Sequence, residues 1–201
     1  MDSSTRQNLE HLRSADRALQ NTAFFTVIAA TEQPVAWAYE VWDDLVAMLR
    51  ARDNHQRAIA AQVLCNLAKS DPEGRMLRDF AALLTVTRDE RFVTARHCLQ
   101  ALGKVGVVGK QQQQQLVDSL IARFHECSSE KNSTLIRYDI IDDLRKLYDV
   151  VQDETIREVA LELIAAEEDP RYRKKYGTLW HTRRSSAAPA RAADPRAGGD
   201  G

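Results

Sequence analysis

The 201-residue sequence has few of the residues that interrupt regular secondary structure, with only eight glycines and five prolines. An all-β protein needs a turn about every 8–12 residues, which is more than these residues can supply. Aromatic residues make up 6% of the chain, which argues against a core of stacked aromatic strands. Since hydrophobic residues still account for 44%, the composition favours a mostly helical protein with a core.

An excess of charge of one sign is also missing, because 28 basic and 29 acidic residues give a net charge of −1. No overall field therefore draws the chain to nucleic acid or to a membrane surface. The most apolar stretch, residues 23–30, falls well short of the roughly 20 residues that span a bilayer. Residues 1–6 are polar and lack the apolar stretch of a secretory signal, so we expect neither a leader nor a membrane anchor.

The three cysteines, Cys65, Cys98 and Cys127, are far apart and form no Cys-x-x-Cys motif. An odd number of scattered thiols is typical of a reducing compartment, so we expect a cytoplasmic protein. His97 and His125 lie close in sequence to two of the cysteines, but residues one or two apart on a helix point in different directions. The sequence therefore predicts no metal site and no cofactor.

Acidic residues mark four predicted helix starts. Asp71 and Asp169 each precede a proline, which suits the first helical position because its missing N–H would have no partner there. Asp53 lies three residues before Gln56, the spacing of a capping box, and Asp153 places an acid at the positive end of a helix dipole. Between these signals the apolar residues recur with the period of a helix.

The chain contains an internal repeat. Residues 57–69 align with residues 92–104 at an offset of 35, and residues 137–147 align with the start of the first unit at an offset of 80. The matched apolar positions include Leu64, Leu99 and Leu144. Each unit predicts an outer helix, a turn and an inner helix. Since one short helix pair cannot bury its own apolar face, neighbouring units are expected to stack and share a core.

Residues 153–160 read Asp-Glu-Thr-Ile-Arg-Glu-Val-Ala, residues 53–60 follow the same pattern with Gln56 at the apolar place, and Leu102-Gly103 ends a unit. These units resemble HEAT-type repeats of the armadillo-like superfamily. Their second helix often starts with an acid, then Val or Ile before Arg, and continues with Ala, Leu and Gly. The resemblance spans about residues 35–168. It implies an all-α, right-handed solenoid of about three to four HEAT-like helix pairs.

Two residues depart from this pattern, since Phe92 stands where the arginine is expected and Ser133 where the acid is expected. A third departure is that Arg157 lies only 20 residues after Arg137, so residues 154–166 have a second interpretation, as the first helix of a capping pair. Arg57 and Arg137, at equivalent places, are expected to be structural, pairing with turn acids such as Asp53 between layers.

The ends of the predicted stack differ from its middle. Residues 5–20 mix charged residues with leucines, as an N-terminal capping helix should. Aromatic residues recur every four residues near the other end and are expected to seal the last layer; they are Tyr172, Tyr176 and Trp180. We therefore assign residues 1–182 to one HEAT-like repeat domain. Residues 183–201, rich in Ser, Ala, Pro, Arg and Gly, are assigned to a disordered tail.

Two groups of residues are candidates for binding a partner. On the inner helix of the second unit, polar residues recur every four positions and form a polar edge. This edge faces either a partner on the concave surface or only water. After an acidic stretch at 151–170, a basic segment is interleaved with aromatics. It either grips phosphates while the rings stack on bases, or places cations on the solvent side of the last helix. The candidates are Arg96, Gln100, Lys104, Arg171, Arg173, Lys174 and Lys175.

The sequence contains no Gly-rich phosphate loop, His-Glu-x-x-His or Gly-x-Ser-x-Gly motif. Some proteins with similar repeats are DNA glycosylases that use tryptophans and an aspartate. Trp37, Trp42 and Asp43 are residues of the right type, although Trp42 continues an apolar stripe and is expected in the core. The resemblance implies a non-catalytic protein-interaction scaffold or adaptor. The alternative is a nucleic-acid-binding protein or base-excision glycosylase of similar architecture.

Overall fold

The computed structural model describes residues 1–181, with the side chain of the last of these left out, and this part of the chain is made of helices and short connections with no strand. Ten α-helices follow one another within residues 1–181. They are α1 (Ser3–His11), α2 (Arg17–Ala30), α3 (Ala38–Met48), α4 (Asn54–Leu67), α5 (Arg75–Val86), α6 (Phe92–Gly106), α7 (Lys110–Glu126), α8 (Ser133–Val151), α9 (Glu154–Ala165) and α10 (Pro170–His181). A single 3₁₀ turn follows α4, and another follows α7.

The helices form two layers. The even-numbered helices pack closely side by side, above all α4 on α6 and α6 on α8, whereas the odd-numbered helices contact one another much less. Closer packing on one side is expected for the inner layer of a curved stack, whose concave surface the even-numbered helices then form. The fold is thus an all-α solenoid, as predicted. The helix pairs α3–α4, α5–α6, α7–α8 and α9–α10 are the four expected, and α1–α2 adds a fifth pair.

One continuous core runs between the layers from Leu12 to Tyr176. The three leucines at equivalent places of the repeat are all buried in it, one on each of α4, α6 and α8; they are Leu64, Leu99 and Leu144. At the end of α6 the packing is so close that a Cβ on Gly106 would lie 2.7 Å from Leu116 Cδ2 and 3.0 Å from Leu147 Cδ1. The internal repeat is therefore a repeat of packing positions.

Three of the four predicted helix starts are confirmed by their capping bonds. Asp153 Oδ1 accepts a hydrogen bond from the Thr155 backbone N–H at 3.2 Å, and Asp53 Oδ1 accepts one from the His55 N–H at 3.0 Å. The Gln56 side chain, however, donates to the carbonyl of Arg13, so the expected capping box does not form.

The fourth start is displaced from its predicted place. Helix α5 begins at Arg75, after Gly74 in the left-handed conformation at φ 71°, and not at the proline that follows Asp71. The Asp71 carboxylate still caps the helix from a distance, accepting from the N–H groups of Arg75 and Met76 at 2.9 and 2.7 Å. The residue at a positive φ is a glycine, which adopts that conformation at little cost.

Asp169→Ala is expected to lower the free energy of unfolding by about 0.5–2 kcal/mol. Asp169 precedes the first residue of α10, and its Oδ1 accepts a hydrogen bond from the Arg171 N–H at 2.8 Å. The adjacent variant Glu168→Ala also removes a carboxylate but no cap, so it should stay within about 0.5 kcal/mol of the wild type. Urea unfolding of both variants measures the difference, and equal stabilities would contradict the cap.

The two ends of the solenoid are closed differently. At the C-terminal end the Tyr176 hydroxyl donates to the Thr134 carbonyl at 2.8 Å, and the ring of Tyr172 lies 6.2 Å from that of Tyr176. Trp180 packs on Tyr148 with ring centroids 5.5 Å apart, so the prediction that the three aromatics seal the last layer is confirmed.

At the N-terminal end the predicted single capping helix over residues 5–20 is wrong. The chain forms α1, turns at residues 12–16 and enters α2, because Asp16 caps a new helix by accepting from the N–H groups of Ala18 and Leu19. The predicted tail, residues 183–201, lies outside the described residues, and the domain boundary at residue 182 stays a prediction.

Candidate partner-binding surface

A series of arginine–carboxylate pairs joins each inner helix to the turn that precedes the next one; we call it the arginine ladder. Arg17 of α2 binds Asp53 at 2.7 Å, Arg57 of α4 binds Asp89 at 2.9 Å, and Arg137 of α8 binds Glu167 at 3.0 Å. The prediction that Arg57 and Arg137 pair with turn acids is thus confirmed, although Asp53, the acid given as an example, binds Arg17 instead. The partner in each case is the acid of the following turn.

The ladder has one gap, at Phe92, where the repeat lacks its arginine. There the turn acid Glu130 is bound by Arg123, which comes from the outer helix α7. Arg123 is almost completely buried and donates from Nη2 to the carbonyl of Thr87 at 3.1 Å and to Glu130 Oε2 at 2.9 Å. The ion pairs and hydrogen bonds of these arginines therefore connect neighbouring repeats.

The polar edge predicted on α6 links three inner helices. Arg96 donates from Nε and Nη2 to the buried carboxylate of Asp139 on α8, at 2.6 and 2.8 Å, and Gln100 donates to the same carboxylate at 3.2 Å. Hydrogen bonding to Asp139 raises the pKa of Arg96, so its charge is permanent. On the other side, Lys104 Nζ donates to Asn66 Oδ1 of α4 at 2.5 Å, and partial burial lowers the pKa of Lys104.

The basic residues predicted on α10 differ in their bonds. Arg171 binds Asp169 at 2.8 Å, and Arg173 donates from Nε to the carbonyl of Glu167 at 2.9 Å. Lys175 Nζ lies 5.0 Å from the ring centroid of Tyr138 on α8, while Lys174 is exposed. The structure thus places all seven predicted residues on α6 and α10, both of which belong to the inner layer. Whether they bind a partner stays a prediction.

Two residues that the sequence reasoning missed lie on α8, between these two helices. Tyr138 contacts Tyr176 and Lys175 of α10 and adds to the raised pKa of Arg96 on α6. Asp143 is buried, and neither of its carboxylate oxygens accepts a hydrogen bond within the described residues. Burial raises the pKa of Asp143 well above its usual value, although Lys146 Nζ lies 3.8 Å away.

The residues considered for base excision lie elsewhere. Trp42 is buried in the core, as expected, and its Nε1 donates to Asp79 at 2.9 Å. Asp43 is exposed, and Trp37 is half-buried at the start of α3. Because α3 belongs to the outer layer, these three residues do not line the concave surface.

The three cysteines are free and buried, and the possible metal ligands among residues 1–181 are not grouped. Burial raises the pKa of Cys65 to about 12 and the pKa of Cys98 well above its usual value, which suppresses the nucleophilic thiolate. His97 is exposed whereas its neighbour Cys98 is buried, so the two side chains point apart. Within residues 1–181 no group of three or more His, Cys, Asp or Glu is placed to hold a metal ion. None of the helices described there combines the length and apolarity of a membrane-spanning segment.

No protein-family model matches the sequence, and no curated protein does either. Among solved structures, the chain is similar to an engineered protein, with a TM-score of 0.54 and 14% identity over 89% of this chain and 78% of that one. A designed armadillo repeat protein in complex with the peptide (KR)4 has a TM-score of 0.49 and 14% identity, over 89% and 88% of the two chains. A second designed armadillo repeat protein gives 0.43 and 14%, over 87% and 98%.

At 14% identity the first of these likenesses concerns the fold alone. Together with the two-layer stack and the repeated packing positions, it defines the class of protein: the chain has an all-α helical repeat fold. The helical repeat fold that the sequence resemblance implies is thereby confirmed.

Proposed function

We propose that this protein is a non-catalytic scaffold or adaptor that binds another protein along the concave surface of its even-numbered helices. The observation that carries the proposal is the polar edge of α6, because Gln100 and Lys104 remain exposed although α8 and α4 hold their side chains in place. Side chains that are fixed before binding lose little conformational entropy when a partner arrives. A surface of this kind suits recognition.

The chemistry of the remaining groups supports binding without catalysis. A catalytic cysteine needs a lowered pKa, whereas burial raises the pKa of both Cys65 and Cys98. All three cysteines are free and buried, which supports a reducing compartment, and we place the protein in the cytoplasm.

Site-specific photo-crosslinking tests the proposal. A photoreactive amino acid at Gln100, on the concave surface, is expected to give one discrete protein adduct in lysate of the native host. The same amino acid at Ala81, exposed on the outer helix α5, is the matched control and should give none. Adding Lys104→Glu to the Gln100 variant should remove most of the adduct, because it reverses a charge on the same edge.

Two results would contradict the scaffold function. Equal labelling from Gln100 and Ala81 would show that the concave surface has no preference for a partner. An adduct that nuclease digests would mean that the ligand of this surface is a nucleic acid, the alternative function expected from the sequence.

A further inference from the structure

The cations of the inner helices fall into two groups. Those of the arginine ladder, and Arg96 with them, each bind a carboxylate. By contrast Arg173, Lys174 and Lys175 of α10 take part in no ion pair with any described residue: one bonds a backbone carbonyl, one is exposed, and one lies against a tyrosine ring. Apart from Lys104 of α6, which binds the side-chain amide of Asn66, positive charge without a counter-ion is therefore concentrated at the α10 end of the inner layer.

This end is joined to the polar edge of α6 by Tyr138. Arg96, Tyr138 and Lys175 lie in the first two turns of α6, α8 and α10, so they form a row across three neighbouring inner helices. Lys175 Nζ is 5.0 Å from the Tyr138 ring, and Arg96 binds Asp139, the residue next to Tyr138 on α8.

Each member of the row keeps a donor for a ligand. Arg96 uses Nε and Nη2 for Asp139, which leaves Nη1, and 32% of its side chain is exposed. The Tyr138 hydroxyl donates to no group among residues 1–181, and Tyr138 is only half-buried. Lys175 contributes an ammonium group with three N–H donors. Guanidinium, phenol and ammonium donors together suit an oxyanion.

We propose that Arg96, Tyr138 and Lys175 form one anion-binding row, and that it holds the carboxylates of an acidic segment of a partner protein. The inference rests on the proposed function and narrows it to one class of partner. The two groups of candidates found in the sequence then belong to a single surface, with Tyr138 as the residue that connects them.

The charges around the row favour an acidic protein segment over a nucleic acid. Helix α9, which packs against α10, exposes Glu158 and Glu162, the turn after it exposes Glu168, and the whole chain has a net charge of −1. A polyphosphate that ran past the row would meet these carboxylates, whereas a short segment with a few acids would not.

The geometry also sets the spacing of the acids. Neighbouring helix axes lie about 8–10 Å apart, so the two steps from α6 to α10 cover about 16–20 Å, or five to six residues of an extended chain. Acidic residues about five positions apart should therefore reach Arg96 and Lys175 together.

Fluorescence anisotropy with the full chain tests this proposal. The acidic probe is a labelled dodecapeptide of Gly and Ser with two Glu-Glu pairs five residues apart, and the basic probe carries lysines at the same positions. The acidic probe should bind, more tightly at low salt than at physiological salt, and the basic probe should not. Lys175→Glu should weaken binding about tenfold or more, and Tyr138→Phe, which removes only the hydroxyl, about threefold.

The matched control is Lys131→Glu, which reverses an exposed charge in the turn between α7 and α8 and should change the affinity less than about twofold. Thermal unfolding of each variant verifies the fold. No binding of the acidic probe at low salt, or equal loss in the Lys131 and Lys175 variants, would overturn the proposal.

A third probe, a 12-nucleotide single-stranded DNA, separates the two classes of ligand. Binding of DNA that exceeds that of the acidic peptide and is lost in Lys175→Glu would assign the row to nucleic acid and overturn the proposal. The crosslinking from Gln100 distinguishes this failure from failure of the scaffold function. A protein adduct that persists in Lys175→Glu would support the scaffold and reject the row.

Discussion

Arg57→Met is expected to lower the free energy of unfolding by roughly 3–5 kcal/mol, which corresponds to a fall in Tm of about 6–20 °C for a chain of this size. The substitution leaves Asp89, whose side chain is only 4% exposed, without its counter-ion. It also removes the donor that Arg57 Nη1 provides to the carbonyls of Ala51 and Arg52 at 2.8 and 3.0 Å. Urea unfolding and calorimetry measure the loss.

A double-mutant cycle shows whether the loss comes from the pair. Asp89→Asn in the Arg57→Met background leaves no buried charge, so the double variant should be more stable than the sum of the single effects allows. We expect a coupling free energy of about 0.5–3 kcal/mol. Additive effects of the two substitutions would mean that the ion pair does not connect the repeats.

Arg17→Met is the matched control from the same ladder. Arg17 binds Asp53 at 2.7 Å, but the two side chains are 49% and 27% exposed, so water replaces the lost partner. An exposed pair of this kind contributes about 0.2–1 kcal/mol. Losses of similar size at Arg17 and Arg57 would show that burial is not what makes the second pair important.

The order and type of the helices could be predicted because their signals are local. Asp53, Asp153 and Asp169 cap helices that begin one residue later, and the apolar period then determines which side faces the core. Asp71 misled the prediction because its carboxylate reaches N–H groups four and five residues away, across a turn that depends on Gly74. The start of α5 therefore depends on loop geometry as well as on the cap.

The partners of the charged residues could not be predicted in the same way. Asp139 lies 43 residues after Arg96, and Asp89 lies 32 residues after Arg57, so only the stacking of the repeats brings them together. It is even harder to predict from the sequence that Arg123 replaces the missing ladder arginine, because Arg123 lies on α7 in the outer layer. In the sequence Arg123 has the ordinary appearance of a charged residue on a helix.

The candidate surface was predicted in part for the same reason. The four-residue spacing of Arg96, Gln100 and Lys104 identified one face of α6, because a single helix determines it. Tyr138 was missed since its role depends on which side of α8 lies between α6 and α10. A tyrosine on a mixed helix face carries no signal of that arrangement.

Asp143→Asn is expected to stabilise the protein at neutral pH, where the wild type must either bury a charged carboxylate or protonate it. The carboxyl group of Asp143 is buried, its oxygens accept no hydrogen bond from a described residue, and burial raises the pKa of Asp143 well above its usual value. Asparagine has nearly the same shape and carries no charge at any pH. It therefore avoids the cost of either burying a carboxylate or protonating it.

The groups around Asp143 have opposing effects on the free-energy cost of ionising its carboxyl group. Lys146, one turn further along α8, favours the ionised form, while Asp142 and Asp139 on the same helix disfavour it. Lys146 is itself bound to Asp142 at 2.6 Å, so its charge is shared. From α6, a Cβ on Gly103 would lie 3.8 Å from the Asp143 carboxylate, and the nearby Gly103 backbone also favours the ionised form.

The direction of the pH dependence follows from the raised pKa. An aspartate in the unfolded chain has a pKa of about 3.9, so below this pH both states bind the proton and the difference between wild type and Asp143→Asn is smallest. As the pH rises, the unfolded state ionises first, and the wild type loses about 1.4 kcal/mol per pH unit relative to the variant. The loss ends at the pKa of the folded state.

Urea unfolding of both proteins from pH 4 to pH 8 therefore gives two curves that diverge as the pH increases. Asp118→Asn, which removes an exposed carboxylate on α7, is the control and should run parallel to the wild type. Parallel curves for Asp143→Asn as well would mean that Asp143 ionises as easily in the folded protein as in the unfolded chain. The close contact of α6 and α8 would then have to admit water to this carboxylate, and the stacking of those two helices would be looser than their packing indicates.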